Sequence, residues 1–190
     1  MAYPVNAKKV QLEILRVLII AAVFVGAFYL GGLAKESDFI IKSISRFGYW
    51  GVFVAAIIGG FNLAIPIPII SFLPVFLEVG LGFTRVLLVI AVGMTVADIL
   101  AFYIGKSARR MAYFTANSSI LTKLDSLKNR HKILPYLVLF LFAALAPFPN
   151  EAFVLPMGFV GYRLKNILLP LVAGNFMFNL IVAFGLINFL

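Results

Sequence analysis

Long apolar runs fill this chain, and the same polar interruption breaks them twice. Between Phe47 and Ile104 the sequence is almost continuously apolar, yet Asn62-Leu-Ala-Ile-Pro66-Ile-Pro68-Ile-Ile-Ser-Phe-Leu-Pro74-Val-Phe-Leu-Glu78 sets three prolines, an amide and a carboxylate inside it. Proline removes a backbone donor and clashes with the preceding turn, so no straight helix runs through Pro66 and Pro68. The second interruption, Ala146-Pro147-Phe148-Pro149-Asn150-Glu151, repeats the Pro-x-Pro break between apolar arms at Ile133–Ala146 and Glu151–Val160. Backbone freed at such a break is tolerated at membrane depth only where protein or water satisfies it, so both breaks point to a lined cavity.

The remaining periodicity supplies the other elements. Leu12 to Ala34 is apolar after Glu13 and Arg16 and reads as an uncleaved spanning helix, because its run exceeds a signal-peptide core even though Gly32-Leu33-Ala34 resembles a cleavage site. Ile40, Ile41, Ile44 and Phe47 recur opposite Lys42, Ser43, Ser45 and Arg46, the pattern of an interfacial amphipathic helix, with Ser37 or Asp38 as its cap. Ile120, Leu121, Leu124 and Leu127 do the same opposite Lys123, Asp125 and Lys128, capped by Asn117 or Ser118. Val86–Gly105 and a run from Ile167 to about Leu190 read as spanning helices.

In order, each half therefore gives amphipathic helix, apolar arm, Pro-x-Pro, apolar arm, a Gly-aromatic-basic turn (at Gly82 and Gly161) and a spanning helix. The spacing from Gly93 to Asp98 recurs from Gly174 to Asn179. The expected fold is an all-α integral membrane protein: an N-terminal transmembrane helix in residues 1–34, then one domain over 35–190 made of repeats 35–106 and 107–190. A hairpin that returns to its own face, followed by one crossing, starts the second repeat on the opposite side, so the repeat is inverted. With a cytoplasmic N-terminus, Lys35, Lys42, Arg46 and Arg85 fall outside and the other twelve of sixteen basic residues inside, as the positive-inside rule asks.

Composition agrees. The chain is 63% hydrophobic with a mean hydropathy of +1.09, well above soluble domains. Its 190 residues hold no cysteine, which excludes disulfides and thiolate sites. The net charge of +9 would suit nucleic acid, but the basic residues cluster in short loops beside apolar segments, where they meet anionic headgroups instead. His131 has no ligand partners at metal spacing, and no phosphate loop or catalytic triad order is visible, so the expectation is no enzyme, no cofactor and no metal.

Three carboxylates lie in or beside the apolar phase. Such groups normally face a bundle interior, pair with another group, or carry a transport pathway. Glu151 adjoins Asn150 directly after the break and is the leading proton-carrier candidate; its alternative is a helix-capping carboxylate. Asp98 is a second carrier or the structural partner of a basic residue. Glu78, near Arg85, is expected in an interfacial ion pair. Asn62, Asn175 and Asn179 are amides at membrane depth, the last two on one helix face, as cavity wall or as interhelical bonds. The candidate pathway is thus Asn62, Pro66, Pro68, Asp98, Pro147, Pro149, Asn150, Glu151, Asn175 and Asn179, with Glu78, Arg85, Arg163 and Lys165 at the headgroups.

Pro-x-Pro with a polar neighbour, the run Gly93-Met-Thr-Val-Ala97-Asp98-Ile-Leu-Ala-Phe-Tyr103-Ile-Gly105-Lys106, and Ala-Pro147-Phe-Pro149-Asn-Glu151 through Gly158 together resemble the DedA/VTT (SNARE-associated) superfamily. The resemblance covers Asp38 to the C-terminus. It implies two opposed re-entrant hairpins in a prokaryotic cell membrane and the movement of phospholipids or polyprenyl-phosphate carriers between leaflets, with protons as a coupling ion. Partners would be membrane lipids and protons, with self-association open and nucleic acid excluded. Many bacterial members carry an acid before the first break, a Pro-Gly-Asp/Glu turn after it, and arginines around the second. Here Asn62, Ile69-Ile70-Ser71, Ala143-Ala144 and Asn150-Glu151 stand in those places. Glu151 therefore favours a cation, a proton or the amine of a zwitterionic headgroup over a bare phosphate. A membrane scaffold, or a transporter of small molecules or ions, is the alternative.

Overall fold

The computed structural model describes residue 29, residues 38–61 and 68–111, residue 123, and residues 126–128, 133–146 and 148–189. Apart from residue 29, the expected N-terminal helix lies outside them, as do Asn62, Pro66, Pro147, His131 and the caps at Asn117 or Ser118. Among the described residues the fold is all-helical: α1 (Asp38–Gly60), a 3-10 turn (Ile69–Phe72) leading into α2 (Leu73–Glu78), α3 (Phe83–Met111), α4 (Leu134–Leu145), α5 (Glu151–Val160) and α6 (Leu164–Phe189). Gly48 breaks α1 with φ 52° and ψ −135°, so the amphipathic stretch and the apolar arm after it point in different directions. Two helical stretches, Phe83–Ala108 and Leu164–Gly185, are long and apolar enough to cross a membrane. At 1.5 Å per residue, α4 rises only about 18 Å and α5 about 15 Å, half of a roughly 30 Å hydrocarbon layer.

Contacts between named pairs give the relative directions. Ala56 meets Gly93 and Gly60 meets Ala97, so the apolar arm of α1 runs parallel to α3. Tyr136 meets Asn166 and Ala143 meets Gly174, so α4 runs parallel to α6. Between the long helices the order reverses, since Asp98 meets Asn175 and Met94 meets Asn179. Thus α3 and α6 are antiparallel. The α5 helix is parallel to α3, with Asn150 against Asp98 and, further along, Leu155 against Gly105.

Each pair of short arms is a hairpin with both ends at one end of the bundle. Tyr49 Oη accepts the Gly82 N–H at 3.0 Å, and Tyr136 Oη accepts the Asn166 Nδ2–H at 3.1 Å, so each outgoing arm starts beside the start of its own long helix. The returning arms end alike. Gly80 and Gly161 both have φ 85°, and Leu81 N–H to Phe76 O (3.1 Å) and Tyr162 N–H to Met157 O (3.0 Å) close matching Schellman turns. This corrects the sequence reading, which put the first turn glycine at Gly82; a left-handed C′ position needs glycine whatever follows it. The outgoing arms also match. A Cβ on Gly93 would lie 2.6 Å from Ala56 Cβ and 3.0 Å from Phe53 O, and one on Gly174 2.6 Å from Ala143 Cβ and 3.1 Å from Phe140 O.

The interior has three layers along the bundle. At one end Ile70, Leu73, Phe76, Val86, Leu87 and Ile90 pack with Ala183. At the other, Phe102, Leu139, Val154, Met157, Ile167 and Leu171 pack together. Between them, the middle turns of α3 and α6 bury Thr95, Asp98, Asn175 and Asn179 among small residues such as Ala97. The outside is the reverse: Trp50, Val54, Ile58, Leu88, Val92, Leu100, Leu141, Met177, Ile181 and Phe184 are exposed. A bundle with apolar side chains outward and amides and carboxylates at its centre suits a solvent of hydrocarbon, because each polar group left facing lipid costs several kcal/mol.

Candidate functional site

The middle layer is assembled from three elements. Thr95 and Asp98 stand one turn apart on one face of α3, Asn175 and Asn179 one turn apart on α6, and the second break delivers Asn150 and Glu151 at the start of α5. All six are buried, Asn175 completely and Asn150 the least, at 8% exposed. What brings α5 so close is glycine. A Cβ on Gly105 would lie 2.9 Å from the Leu155 carbonyl carbon and one on Gly158 3.1 Å from that of Phe102, each overlapping the attached oxygen more closely still. The two backbones therefore touch. Asp98 lies two turns before Gly105 and Glu151 two turns before Gly158, so the parallel crossing sets the two carboxylates on the same side of it.

Asp98 is the hub. Its Oδ2 accepts Nδ2–H bonds from Asn175 at 2.9 Å and Asn150 at 3.3 Å. Asn150 Nδ2 also donates to Asn175 Oδ1 at 2.7 Å, and Asn175 Nδ2 to Thr95 Oγ1 at 3.1 Å. Thr95 Oγ1–H in turn donates to Ala91 O at 2.7 Å, the usual back-bond of a helical threonine. Three helices are tied through one closed network. Glu151, next in sequence to Asn150, is buried in the same layer. Asn179 Nδ2 donates to its own helix at Asn175 O (2.7 Å) and lies 3.4 Å from Met94 Sδ, while Asn179 Oδ1 is buried with no hydrogen-bond partner among the described residues. The N-cap position of α5 falls to Asn150 and not to Glu151, and the Asn150 side chain turns into the network instead of capping the helix.

Of the residues singled out in the sequence, Asp98, Asn150, Glu151, Asn175 and Asn179 thus converge. Pro68 and Pro149 stand partly buried at the two breaks. Glu78 and Arg85 are both exposed at the Tyr49 end and form no ion pair among the described residues, contrary to the pairing expected of them, so solvation replaces it. Arg163 and Lys165 are exposed at the opposite end. Sequence reasoning missed Thr95, although it precedes Asp98 by three residues on a helix and so shares its face. It also missed Lys106 and Lys128 as companions of Arg163: two clefts, of about 680 and 550 Å³, flank the Gly161–Arg163 turn, one beside Lys106 and the other beside Lys128. No group of three or more histidines or carboxylates suited to a metal occurs among the described residues. Compared with protein families, characterised proteins and solved structures, the chain matches none.

Proposed function

We propose that this chain is a membrane transporter of the inverted-repeat kind, which moves a lipid headgroup or lipid-linked carrier between leaflets and exchanges protons at Glu151 and Asp98, without covalent chemistry. The observation that carries the reading is the buried polar layer at the midpoint of a bundle whose outer surface is apolar. Intramembrane carboxylates are costly and are retained where substrates or ions pass. Transporters built from inverted repeats gather such groups at broken helices near the bilayer midplane. The inverted arrangement is supported by the antiparallel long helices and by the matched pairs Tyr49/Tyr136, Ala56/Ala143, Gly80/Gly161 and Gly93/Gly174. The re-entrant nature of both hairpins is supported by arms too short to cross and by ends that share a face. These features also fit the resemblance to the DedA/VTT superfamily, and with it a prokaryotic cell membrane; a cytoplasmic N-terminus rests on the twelve-to-four division of the basic residues alone.

A scaffold without transport is the competing reading, favoured by one fact: Asp98 already has two amide donors, as a purely structural carboxylate would. Two measurements separate them. Single cysteines replacing Ile69 and Phe148 in this cysteine-free chain report water access to the breaks in membranes, and transport requires both to react with a water-soluble thiol reagent. Liposomes holding fluorescent phospholipids then compare wild type with Glu151→Gln at equal insertion and folding. Gln keeps shape and hydrogen-bonding capacity while removing ionisation. Loss of lipid movement and of its pH dependence is expected; an unchanged rate and unreactive cysteines would leave the scaffold.

A further inference from the structure

Toward the end of α3 its outer surface changes character within about one turn. Leu100, Tyr103 and Ile104 are exposed on α3, and Lys106 follows them. The left-handed turn at Gly161 carries Arg163 and Lys165 round to the same place, and these three cations line one cleft of about 680 Å³ with Phe102, Tyr103 and Tyr162. Among the described residues no acidic side chain lines it. Lys106 Nζ sits 5.8 Å from the centre of the Tyr103 ring, held at the boundary by a cation–π contact. Lys128 is spent differently: its Nζ donates to Val160 O at 3.0 Å and lies 5.7 Å from the Tyr162 ring, where it caps the end of α5 on the far side of the turn.

Three like charges round one concavity repel unless an anion lies between them. An arginine fork with two lysines is the donor set for a phosphate, since guanidinium binds two of its oxygens at once and each ammonium adds a point charge. Directly beside that donor set lies exposed hydrocarbon with a tyrosine at the border, as at a headgroup boundary. The occupant that satisfies both surfaces is amphiphilic. We infer that this cleft holds the phosphate of an anionic phospholipid between Lys106, Arg163 and Lys165, with its acyl chains along Leu100, Tyr103 and Ile104 of α3. The inference rests on the membrane placement proposed above and is independent of transport.

The test counts lipid bound to the purified full chain in neutral detergent by native mass spectrometry, titrating dioleoyl phosphatidylglycerol or phosphatidylcholine. Each cation near a surface contributes about fivefold in affinity, so Lys106→Gln/Arg163→Gln/Lys165→Gln lowers phosphatidylglycerol affinity roughly a hundredfold. Removing the three cations of the opposite end, Lys42, Arg46 and Arg85, leaves this site unchanged. If the triple variant fails to fold, Arg163→Gln alone, at an exposed position, decides with an expected loss of about fivefold. Equal binding of phosphatidylglycerol and phosphatidylcholine, or equal binding by variant and wild type, overturns the inference. Displacement of the lipid by inorganic phosphate at matched concentration also overturns it, because the site would then recognise the free anion. A wild-type chain that does not enter phosphatidylcholine vesicles would sink the membrane placement itself, whereas one that enters them yet shows no preference for phosphatidylglycerol sinks only the lipid site.

Discussion

The two hairpins are built alike and carry different chemistry. Each outgoing arm is clasped by a tyrosine hydroxyl and seated on a glycine of its long helix, and each returning arm ends in the same left-handed turn. Directly after the second proline of each break the resemblance stops. Pro68 is followed by Ile69 and Ile70, and Ile70 is fully buried in the apolar layer with Leu73 and Phe76. Pro149 is followed by Asn150 and Glu151, equally buried, in the polar layer with Asp98 and Asn175. One hairpin closes the core and the other equips it. Two hairpins with matching contacts thus carry polar chemistry on one side only, and the apolar side sets the baseline against which that chemistry can be measured.

The largest effect should come from erasing the difference in the wrong direction. Ile70→Glu places the carboxylate of the second hairpin in the apolar layer of the first, without amides to receive it. An uncompensated buried charge costs about 3–5 kcal/mol, so the variant should fail to yield folded protein by size exclusion in detergent. If Ile70→Glu folded as well as wild type, the two layers would be interchangeable. Next comes the seat of the second hairpin. Gly158→Ala drives a methyl into the Phe102 carbonyl, which cannot yield as a side-chain tip can, and overpacking of this kind costs about 3 kcal/mol. Gly93→Ala and Gly174→Ala meet an alanine Cβ first and should cost less than Gly158→Ala, and equally to each other, in thermal unfolding followed by circular dichroism.

Asp98→Ala should act on the second hairpin and α6 and spare the first hairpin. It strands the Asn150 and Asn175 amides in the interior, a loss of about 2 kcal/mol. Hydrogen exchange should then quicken in residues 150–154 and stay unchanged in 70–76; equal quickening in both would break the asymmetry. The smallest effect sharpens the likeness. Tyr49→Phe and Tyr136→Phe each remove one exposed clasp and should lower stability by the same amount, about 1 kcal/mol, by the same unfolding measurement.

Much of this architecture was legible in the chain because its signals are local. Proline positions gave both breaks, apolar length gave α3 and α6, and the arms Ile133–Ala146 and Glu151–Val160 were read within a residue of α4 and α5. The first turn was read two residues late because Gly82, with an aromatic and a basic residue after it, imitates Gly161, whereas the left-handed position goes to Gly80. The polar residues could be named singly but not assembled. Their meeting depends on α5 lying parallel to α3, which is decided by Gly105 against Gly158, more than fifty residues apart. Nothing in the neighbourhood of either glycine announces the other. The convergence of Lys106 with Arg163 and Lys165 depends on that same crossing.

The Gly105–Gly158 contact has a mechanical meaning as well. Helices that interlock through side chains resist rotation, because ridges must climb out of grooves. At the crossing itself backbone meets backbone at a pair of glycines, with no side-chain teeth between them, which makes that point the natural pivot for any tilt of α5. Glu151 stands seven residues from it, a lever of about 10 Å at 1.5 Å per residue. Rocking α5 by roughly 15° about that point would sweep the Asn150–Glu151 end by about 3 Å, enough to part the Asn150 amide from Asp98 while leaving the pivot in place. A small angular change at the bearing becomes a make-or-break displacement at the polar layer.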